Sequence, residues 1–534
     1  MESLFAHIAI LPIVLPLLAG IVLVLIEDRH HRTKLVIDIV ATVLLLVVAL
    51  ALLVHVNNGG PNLSTYRLGD WPVPFGIVLV ADPLAALMVL LTAILGLSTV
   101  VFSAARWHRA GSHFHSLFQL LLMGLNGAFL TGDLFNLFVF FEVLLAASYG
   151  LMLHGSGTVR IKAGLHYIAV NLATSSLFLI GVSLIYGVTG TLNMADLAHR
   201  IPLIPEESRM LFEAGAAILG IAFLVKAGMW PLSFWLPTTY AAASPPVAAM
   251  FAIMSKVGIY VVLRLSLLLF GEGAAAHPGE QWLLYGGMAT IAFGTVGVLS
   301  SQGTARMAAF CVLVSSGTLL AMIGYENAGV TAGALFYLVS STLALSCLFL
   351  LSELVERGRG SEAGVLAVTL EAFGDDEEPA HDEEIGIATP LTLALLGIAF
   401  LCCALVIAGM PPFSGFIAKF AMIGAVLNPQ GLGASVGISA TSWALVALLI
   451  VSGLAATIAL LRAGINIFWV TFDGEVPRVS IAEMLPVLLL LGLCVILTVL
   501  AGPAMAYMQD TAQYLHVPTA YVDVLLGTSA GATP

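Results

Sequence analysis

Four ionisable residues lie inside otherwise apolar stretches of this sequence: Glu142, Lys226, Lys256 and Lys419. An ionisable side chain at the centre of a lipid bilayer costs roughly 2.5–3.5 kcal/mol on insertion scales, so four of them cost on the order of 10 kcal/mol before any pairing. A chain that only had to cross lipid would carry Leu at these positions. Carboxyl and amine groups bind and release protons, so the set predicts proton transfer inside a membrane.

The composition indicates which elements must position these groups. Of the 534 residues, 60% are hydrophobic and only 9% are charged, which a water-soluble protein of this length could not place on its surface. A membrane-spanning helix needs about 20 apolar residues, and about fourteen such runs can be found. We therefore predict an all-α polytopic membrane protein. The predicted spans cover residues 6–26, 34–56, 78–104, 114–130, 134–153, 163–188, 210–236, 247–270, 281–300, 307–323, 331–354, 387–427, 441–470 and 481–508.

The seventh and twelfth predicted spans are interrupted by helix-breaking residues close to a lysine. The seventh contains LVKAGMWPLSFWLP, in which Pro231 follows Lys226. The twelfth contains AGMPPFSGFIAKF, in which three helix breakers precede Lys419, namely Pro411, Pro412 and Gly415. Irregular backbone at membrane depth is tolerated only where it faces protein or water, so both breaks are predicted to lie in the protein interior.

The two breaks are five spans apart, and five is an odd number. A second copy of one unit would therefore enter the membrane from the opposite side, which predicts two inverted five-helix repeats, spans four to eight and spans nine to thirteen. Proline kinks are common in membrane helices, and it is the lysine beside each break that argues for a repeat. The predicted divisions of the chain are 1–112, 113–272, 273–475 with an acidic loop at 357–386, and 476–534.

Most of the 19 Lys and Arg residues fall in loops on one side of the predicted spans. Positively charged loops remain on the cytoplasmic side, so both termini are predicted on the outer face of a bacterial inner membrane. The net charge of −12 comes largely from the loop 357–386. We interpret this loop as a solvated, partly disordered connector, with a docking site for another subunit as the alternative.

Several classes of site are not expected in this chain. All five cysteines fall in apolar runs without a CxxC pair, which argues against iron–sulfur, zinc and disulfide frameworks. The sequence contains neither a phosphate-binding loop nor a dinucleotide fingerprint, and no cluster of oxygen ligands suits a hard cation. We therefore predict no cofactor, no metal site and no nucleic-acid partner. Any sodium path is expected on another subunit or at an interface.

Four further charged residues are predicted to have structural roles. Asp133 should cap the helix of the fifth span, and Asp82 precedes a proline at a helix start. Arg264 and Arg462 lie nearer to helix ends and are expected to extend towards lipid headgroups.

Four motifs together resemble the antiporter-like subunits that Mrp-type sodium/proton antiporters share with respiratory complex I. Besides the two broken segments, they are GDLFNLFVFFEVL at 132–144 and ASPPVAAMFAIMSKVGIYVVLR at 243–264. The resemblance covers about 82–470 and is greatest to the D-type subunits of the Mrp antiporters. It implies a buried Glu142 paired with Lys226, a central Lys256, and a terminal Lys419 near the outlet of a proton path.

The resemblance implies a proton-translocating membrane subunit of a multi-subunit Na⁺(cation)/H⁺ antiporter, a secondary transporter rather than an enzyme. Its partners would be the other subunits of the complex, with Na⁺ handled together with them. An alternative is a proton-pumping subunit of a complex I-like quinone oxidoreductase or membrane-bound hydrogenase. A third possibility is a structural subunit that has lost transport, against which the complete set of one Glu and three Lys argues. Within the first function, protons would pass among the lysines while Glu142 gates the first step.

The tenth and eleventh spans differ from related subunits, which often have His or Lys there. Hydroxyl groups occupy these spans instead, and we hypothesise that they line a hydrated passage between Lys256 and Lys419. The candidate relay residues are Ser315, Ser316, Thr318, Tyr337, Ser340 and Ser341. His166, early in the sixth span, is another possible relay, or simply a hydrogen-bonded histidine at the membrane interface.

Overall fold

The computed structural model of the chain is built almost entirely of helices. It describes residues 7–27, 29–58, 63–110, 113–155, 157–270, 279–372, 391–429, 437–468 and 479–527, and of residues 358–372 only the backbone. The helices of the first half are α1 (Leu11–Leu25), α2 (His31–Asn58), α3 (Pro83–Ser103), α4 (Phe114–Leu130), α5 (Leu134–Met152), α6 (Thr158–Thr189), α7 (Met194–Arg200), α8 (Glu206–Ala227), α9 (Leu236–Ala242) and α10 (Pro245–Phe270). Those of the second half are α11 (Glu280–Ser300), α12 (Thr304–Ile323), α13 (Ala328–Ala372), α14 (Leu391–Ala408), α15 (Ser414–Leu427), α16 (Ala440–Phe468), α17 (Ile481–Val499), α18 (Ala501–Leu515) and α19 (Pro518–Leu526).

In the described part of the chain, non-helical structure is limited to short connections. Two strands, β1 (Ser64–Arg67) and β2 (Val78–Ala81), pair antiparallel between α2 and α3. Three single-turn 3₁₀ helices cover Leu68–Asp70, Trp107–Arg109 and Ile201–Leu203. Within the described residues the chain therefore agrees with the all-α prediction, apart from this one hairpin.

Twelve helices in the described part of the chain are long and apolar enough to cross a membrane. Three further apolar helices are shorter, α1, α4 and α15. The first and fourth predicted spans correspond to two of these, so the number of fourteen crossings stays a prediction. Helix α13 continues past its predicted end into the loop 357–386, whose remainder from 373 lies outside the described residues, as does the predicted start of the twelfth span at 387–390.

Burial divides the helices into a central group and an outer group. In the most apolar window of α10, α12 and α13, 94%, 89% and 100% of residues are buried, whereas the corresponding share is 33% for α2 and α17. The outer helices expose many Leu, Val and Ile side chains, which is the arrangement expected where lipid is the solvent. The central helices carry Lys256 and most of the candidate hydroxyl residues, so the fold places these groups away from lipid.

Both predicted helix breaks are present. Helix α8 ends at Ala227, and α14 ends at Ala408. Each is followed by a glycine with left-handed backbone, Gly228 and Gly409, both at φ 75°, a conformation that residues with a Cβ rarely adopt. An irregular stretch then leads into α9 or α15. The segments share the pattern Ala-Gly-Met-x-Pro-x-Ser across each break.

Similar helix contacts recur in the two predicted five-helix units. In the first unit Gly127 of α4 lies against Phe140 of α5, and in the second Gly297 of α11 lies against Phe310 of α12. A Cβ added to either glycine would lie 2.2 Å or 2.1 Å from the facing ring, so both helix pairs need glycine for their close approach. That the two units are related by inversion stays a prediction.

Candidate proton-transfer site

Lys226 lies in the last turn of α8 and is buried. Its Nζ donates a hydrogen bond of 2.8 Å to the side-chain oxygen of Asn171 on α6. The same Nζ lies 5.8 Å from the centre of the Phe141 ring on α5. The ammonium group is therefore held by a neutral amide and an aromatic face rather than by a carboxylate.

The predicted ion pair between Glu142 and Lys226 is not formed in the described residues, so this expectation is corrected. The Glu142 Oε1 atom is buried without a hydrogen-bond partner. The amide oxygen of Asn171 takes the place that the carboxylate was expected to fill. Asn171 and Lys226 are 55 residues apart, and nothing in the sequence near either residue indicates that they meet.

Lys256 is fully buried on α10. Its Nζ donates a 2.8 Å hydrogen bond to Ser315 Oγ on α12, which lies 3.0 Å from Ser341 Oγ on α13. Two of the predicted relay hydroxyls, Ser315 and Ser341, are therefore gathered beside the central lysine, and the relay role of Tyr337 stays a prediction.

A second hydroxyl pair leads towards the twelfth span. Ser340, next to Ser341 on α13, lies 2.8 Å from Ser414 Oγ at the first residue of α15. Both serines are fully buried. Adjacent residues of α13 thus contact the group around Lys256 on one side and the helix that carries Lys419 on the other. Sequence reasoning missed Ser414, although its place in the repeated Ala-Gly-Met-x-Pro-x-Ser pattern was a usable signal.

Lys419 reaches back across the second break. Its Nζ donates a 2.8 Å hydrogen bond to the backbone carbonyl of Ala408, the last residue of α14. The neighbouring helix α16 presents Gly453 here, and a Cβ at that position would lie 2.9 Å from the ammonium nitrogen and 2.7 Å from the same carbonyl. Unpaired carbonyls give a helix C-terminus a partial negative charge, which favours a cation at this position.

The remaining predicted relay residues are less well placed. Ser316 Oγ is buried without a partner, and the Thr318 hydroxyl donates to the backbone carbonyl of Val314 in its own helix. His166 lies on the exposed face of α6, with its ring 5.6 Å from that of Phe234. Their roles as relays stay predictions.

The residues assigned structural roles are only partly as expected. The Asp133 carboxylate accepts from the backbone N–H groups of Phe135 and Asn136, so the predicted helix cap is confirmed. Asp82 accepts from the backbone of Ala85 and likewise caps its helix. Arg462 donates to two backbone carbonyls at the end of α11 rather than only facing headgroups.

The prediction that Arg264 extends to headgroups is wrong. Arg264 is buried and makes a two-pronged ion pair with Asp82, at 2.7 Å and 2.8 Å. Its Nε also donates to the Tyr260 hydroxyl. A buried guanidinium needs a partner of opposite charge, and α3 supplies one 182 residues away in the sequence.

Polar residues beyond Asn171 were also missed. Asn171 Nδ2 donates to the backbone carbonyl of Tyr167, whose hydroxyl lies 2.8 Å from Ser148 Oγ on α5. All three residues are buried. Together they form a chain of polar contacts that runs from Lys226 towards the C-terminal part of α5. Asn171 inside the sixth predicted span was the available signal, because an amide in a spanning helix requires a partner.

Among the described residues no group of three or more His, Cys, Asp or Glu side chains is arranged to hold a metal ion. The arrangement is instead one of single titratable groups separated by neutral oxygens. Such an arrangement can pass protons, because each amine can hold one and each hydroxyl can relay one between neighbours.

Comparisons with known proteins agree with the motifs. Residues 131–445 match the family described as NADH:quinone oxidoreductase/Mrp antiporter, TM. A probable K⁺/H⁺ antiporter D-type subunit from Rhizobium meliloti is 58% identical over 98% of this chain and 99% of that protein. The chain belongs to the family of D-type Mrp antiporter subunits. A Na⁺/H⁺ antiporter D-type subunit from Alkalihalophilus pseudofirmus is 33% identical over 97% of this chain and 99% of its own length.

Solved structures confirm the fold of this family member. A chain of the Mrp complex from Dietzia sp. DQ12-45-1b matches with a TM-score of 0.83 and 26% identity over 98% of this chain and all of that one. A chain of respiratory complex I from Thermus thermophilus matches with a TM-score of 0.75 at 22% identity, over 97% of this chain and all of that one, a likeness of fold. The prediction of an all-α polytopic membrane protein is therefore confirmed, and the chain is a multi-pass membrane protein.

Proposed function

We propose that this chain is the proton-translocating membrane subunit of a multi-subunit cation/proton antiporter. The names of its relatives support the class of transporter and the assembly with other subunits. One structural observation carries the proton role: the buried Lys226 and Lys256 and the half-buried Lys419 each donate to a neutral oxygen, supplied by Asn171, Ser315 and the Ala408 carbonyl.

Neutral acceptors suit a proton carrier better than carboxylates do. An ammonium group in a low-dielectric interior is held strongly by an ion pair, and it then keeps its proton. A single neutral oxygen satisfies one N–H bond without that attraction. Lys226, Lys256 and Lys419 are therefore not locked in the charged form by an ion pair, which repeated proton transfer requires.

Glu142 supplies the gate in this proposal. Its buried, unpartnered carboxyl oxygen lies on the helix next to Phe141, over whose ring the Lys226 ammonium is placed. A swing of Lys226 from Asn171 to Glu142 would form the ion pair and remove one uncompensated positive charge from the neighbourhood of Lys256. Moving one charge through 100 mV is worth about 2.3 kcal/mol, an energy that an ion pair of this kind can match.

The proposed route from Lys256 to Lys419 runs through the two hydroxyl pairs on α13. Ser315 and Ser341 receive the proton from Lys256, and Ser340 and Ser414 carry it to the start of α15. Hydroxyls cannot store a proton at neutral pH, so water must complete the gaps between the pairs.

The cation is proposed to be monovalent and to cross with the help of partner subunits. The relative with 58% identity is named for K⁺, whereas the relatives at 33% and 31% are named for Na⁺. Potassium is therefore the first ion to test for this chain, with sodium beside it.

We also propose that the chain resides in a bacterial inner membrane with both termini on the outer side. In support, basic residues from two loops assigned to the cytoplasm meet at one end of the molecule. Arg106 lies 3.6 Å from Glu483, and Arg357 lies 2.7 Å from both Glu353 and Glu483.

The test uses the whole complex in inverted membrane vesicles, with cation-dependent proton movement as the measurement. Glu142→Ala, Lys226→Ala and Lys419→Ala should each abolish exchange of K⁺ or Na⁺ for protons while the complex still assembles. Lys162→Ala is the matched control, because this lysine is exposed at the start of α6. Full exchange in the Lys226 variant would refute the proposed proton route through Lys226, Lys256 and Lys419, which we call the lysine line.

The fold likeness to complex I keeps a second candidate, a pumping subunit of a quinone-linked oxidoreductase or membrane-bound hydrogenase. Purification of the native assembly distinguishes the two. Iron–sulfur partner proteins would favour the oxidoreductase, and other antiporter subunits would favour the antiporter.

A further inference from the structure

A second group of buried titratable residues lies in the N-terminal helices, outside the lysine line. Asp38 on α2 is fully buried, and its Oδ2 lies 2.5 Å from Nδ1 of the buried His115 on α4. Its Oδ1 accepts a 2.6 Å hydrogen bond from Gln119, also on α4. A fully buried carboxyl group in an apolar helix is costly to place, and the proton route described above does not use it.

A row of three imidazole rings leads from the Asp38 carboxyl group to the N-terminal end of α2. The His115 ring lies 5.5 Å from that of His108, and the His108 ring lies 6.2 Å from that of His31. His31 is the first residue of α2 and is only partly buried. His115 Nε2 and His108 Nδ1 are both buried without a hydrogen-bond partner. Two unsatisfied ring nitrogens in neighbouring rings are costly unless something binds them.

His108 lies in the turn between α3 and α4, outside the spanning helices. Burial, followed by the positive charges possible on His115, Arg109 and His31, lowers the pKa of His108 to about 4. Its ring is therefore neutral at ordinary pH, with one N–H and one bare nitrogen. A neutral imidazole in this position can accept a proton on one nitrogen and release one from the other.

Further charged and titratable groups lie on the elements that carry the row and on the neighbouring segments. They are Lys34 on α2, Arg109 in the turn, His154 after α5 and Arg160 at the start of α6. Lys34 is buried one helical turn before Asp38. The positive charge of Arg109 disfavours a doubly protonated row, and the contacts of Asp38 with His115 and Gln119 can hold a carboxylate, so a single proton shared by Asp38 and His115 is the state that these contacts support.

The site is linked to the proton gate by close helix packing. Helix α4, which carries His115, approaches α5 at Gly124 and Gly127. A Cβ at these glycines would lie 2.6 Å from Leu144 and 2.2 Å from Phe140. Glu142 stands between those two residues in the sequence. A shift of α4 against α2 is therefore passed to the segment that carries Glu142, because the interface has no slack.

We propose that Asp38 and His115 form a second proton-binding site, filled through His31 and His108, whose occupancy sets the position of α4 and so controls the Glu142 gate. His31 takes a proton from water, His108 accepts it on one nitrogen and gives up its other proton to His115, and Asp38 and His115 share the proton that arrives. Only N–H and O–H bonds are made and broken. The inference rests on the proposed function, since it regulates the same antiport.

The experiment measures antiport by the whole complex in oriented vesicles, with the pH of each side varied separately. Asp38→Asn and His115→Gln should move the midpoint of the pH profile by about one unit or more on the side where α2 begins, and leave the profile on the other side unchanged. The maximal rate should stay within about 2-fold of wild type, because neither residue is on the lysine line. His55→Gln is the matched control, at the opposite end of α2.

His108→Phe keeps the result decisive if the buried variants fail to assemble, because it leaves the Asp38–His115 contact in place. The inference predicts that this variant loses the response to pH on the same side. Unchanged pH profiles in His108→Phe, or in assembled Asp38→Asn, overturn the inference. These outcomes are separate from a failure of the lysine line, which would appear as normal exchange in Lys226→Ala.

Discussion

The two helix breaks each place a lysine at the end of a half-helix, but the lysine comes from a different helix in each case. At the first break, Lys226 belongs to the last turn of α8 itself, so the ammonium group lies beside the end of its own helix. At the second, Lys419 belongs to the following helix α15 and reaches back to the carbonyl that ends α14. In both units a lysine therefore lies at the C-terminal end of a half-helix, although it precedes the break in one sequence and follows it in the other.

The difference between the breaks lies in the partner of each ammonium group. Lys226 has a side-chain amide from α6, which can be released by rotation of one bond, and an unpartnered carboxyl oxygen on α5. Lys419 has a backbone carbonyl, which cannot move away. In the proposed proton route, the first break is therefore the switching element, and the second holds its ammonium group at a fixed position.

Asn171→Leu is expected to have the largest effect on exchange, and it tests whether the first break is the switching element. Leucine keeps the branching at Cγ but removes the only amide oxygen that Lys226 contacts in the described structure. A hydrogen bond to a charged group is worth about 1.5–3 kcal/mol, so the exchange rate should fall by roughly 10- to 100-fold. Initial rates of cation-dependent proton movement in vesicles measure the effect.

Two further variants on α6 sharpen that result. Asn171→Asp should also slow exchange, because a carboxylate would hold Lys226 in a permanent ion pair. Ser176→Ala is the control, since this exposed hydroxyl donates only to Leu172 of its own helix. Wild-type exchange rates in both Asn171 variants would show that the movement of Lys226 away from the Asn171 amide is not part of the transport cycle.

Gly453→Ala tests the fixed position of the ammonium group at the second break. The added methyl would lie 2.9 Å from Lys419 Nζ and 2.7 Å from the Ala408 carbonyl oxygen, so their hydrogen bond must lengthen or break. We expect exchange to fall by roughly 10-fold, equivalent to about 1.4 kcal/mol, with normal amounts of complex. Blue-native gels and vesicle transport measure the two quantities.

Gly424→Ala is its control on α15, because a Cβ there meets nothing within 4 Å. The equivalent contact in the first unit is Gly258, where a Cβ would lie 2.8 Å from the Ala227 nitrogen and 3.1 Å from Lys226 Cβ. Gly258→Ala should therefore reduce assembly more than transport. If Gly258→Ala and Gly453→Ala changed assembly and exchange rate to the same extent, the contact of Gly453 with the Lys419 ammonium group would have no role beyond packing.

Ser414→Ala should have a smaller effect on exchange than Asn171→Leu or Gly453→Ala. It removes a neutral hydrogen bond to Ser340, worth about 0.5–1.5 kcal/mol, so a loss of roughly 2- to 10-fold in exchange rate is expected. Ser233 occupies the same place in the first break, and its hydroxyl is buried without a partner. Ser233→Ala should leave the rate unchanged, and a larger loss there than in Ser414→Ala would contradict the hydroxyl route.

Sequence reasoning was reliable where the governing energy is local. The breaks at Pro231 and Pro411 follow from backbone chemistry, and the cap at Asp133 follows from its place before an apolar run. It was wrong for Arg264 because the position near a helix end says nothing about Asp82 on a distant helix. It overlooked Asp38 and His115 because neither is near a break or in a motif.

Composition and local pattern are enough to show that the chain lies in a membrane, where its helices break and that its buried charges need compensation, since lipid imposes these costs residue by residue. Which oxygen each ammonium group meets depends on how distant helices pack together. The partners of Lys226 and Lys256 lie 55 and 59 residues away on other helices, and that of Lys419 lies across a break. Packing of one helix face against another makes those choices, and no local pattern encodes them.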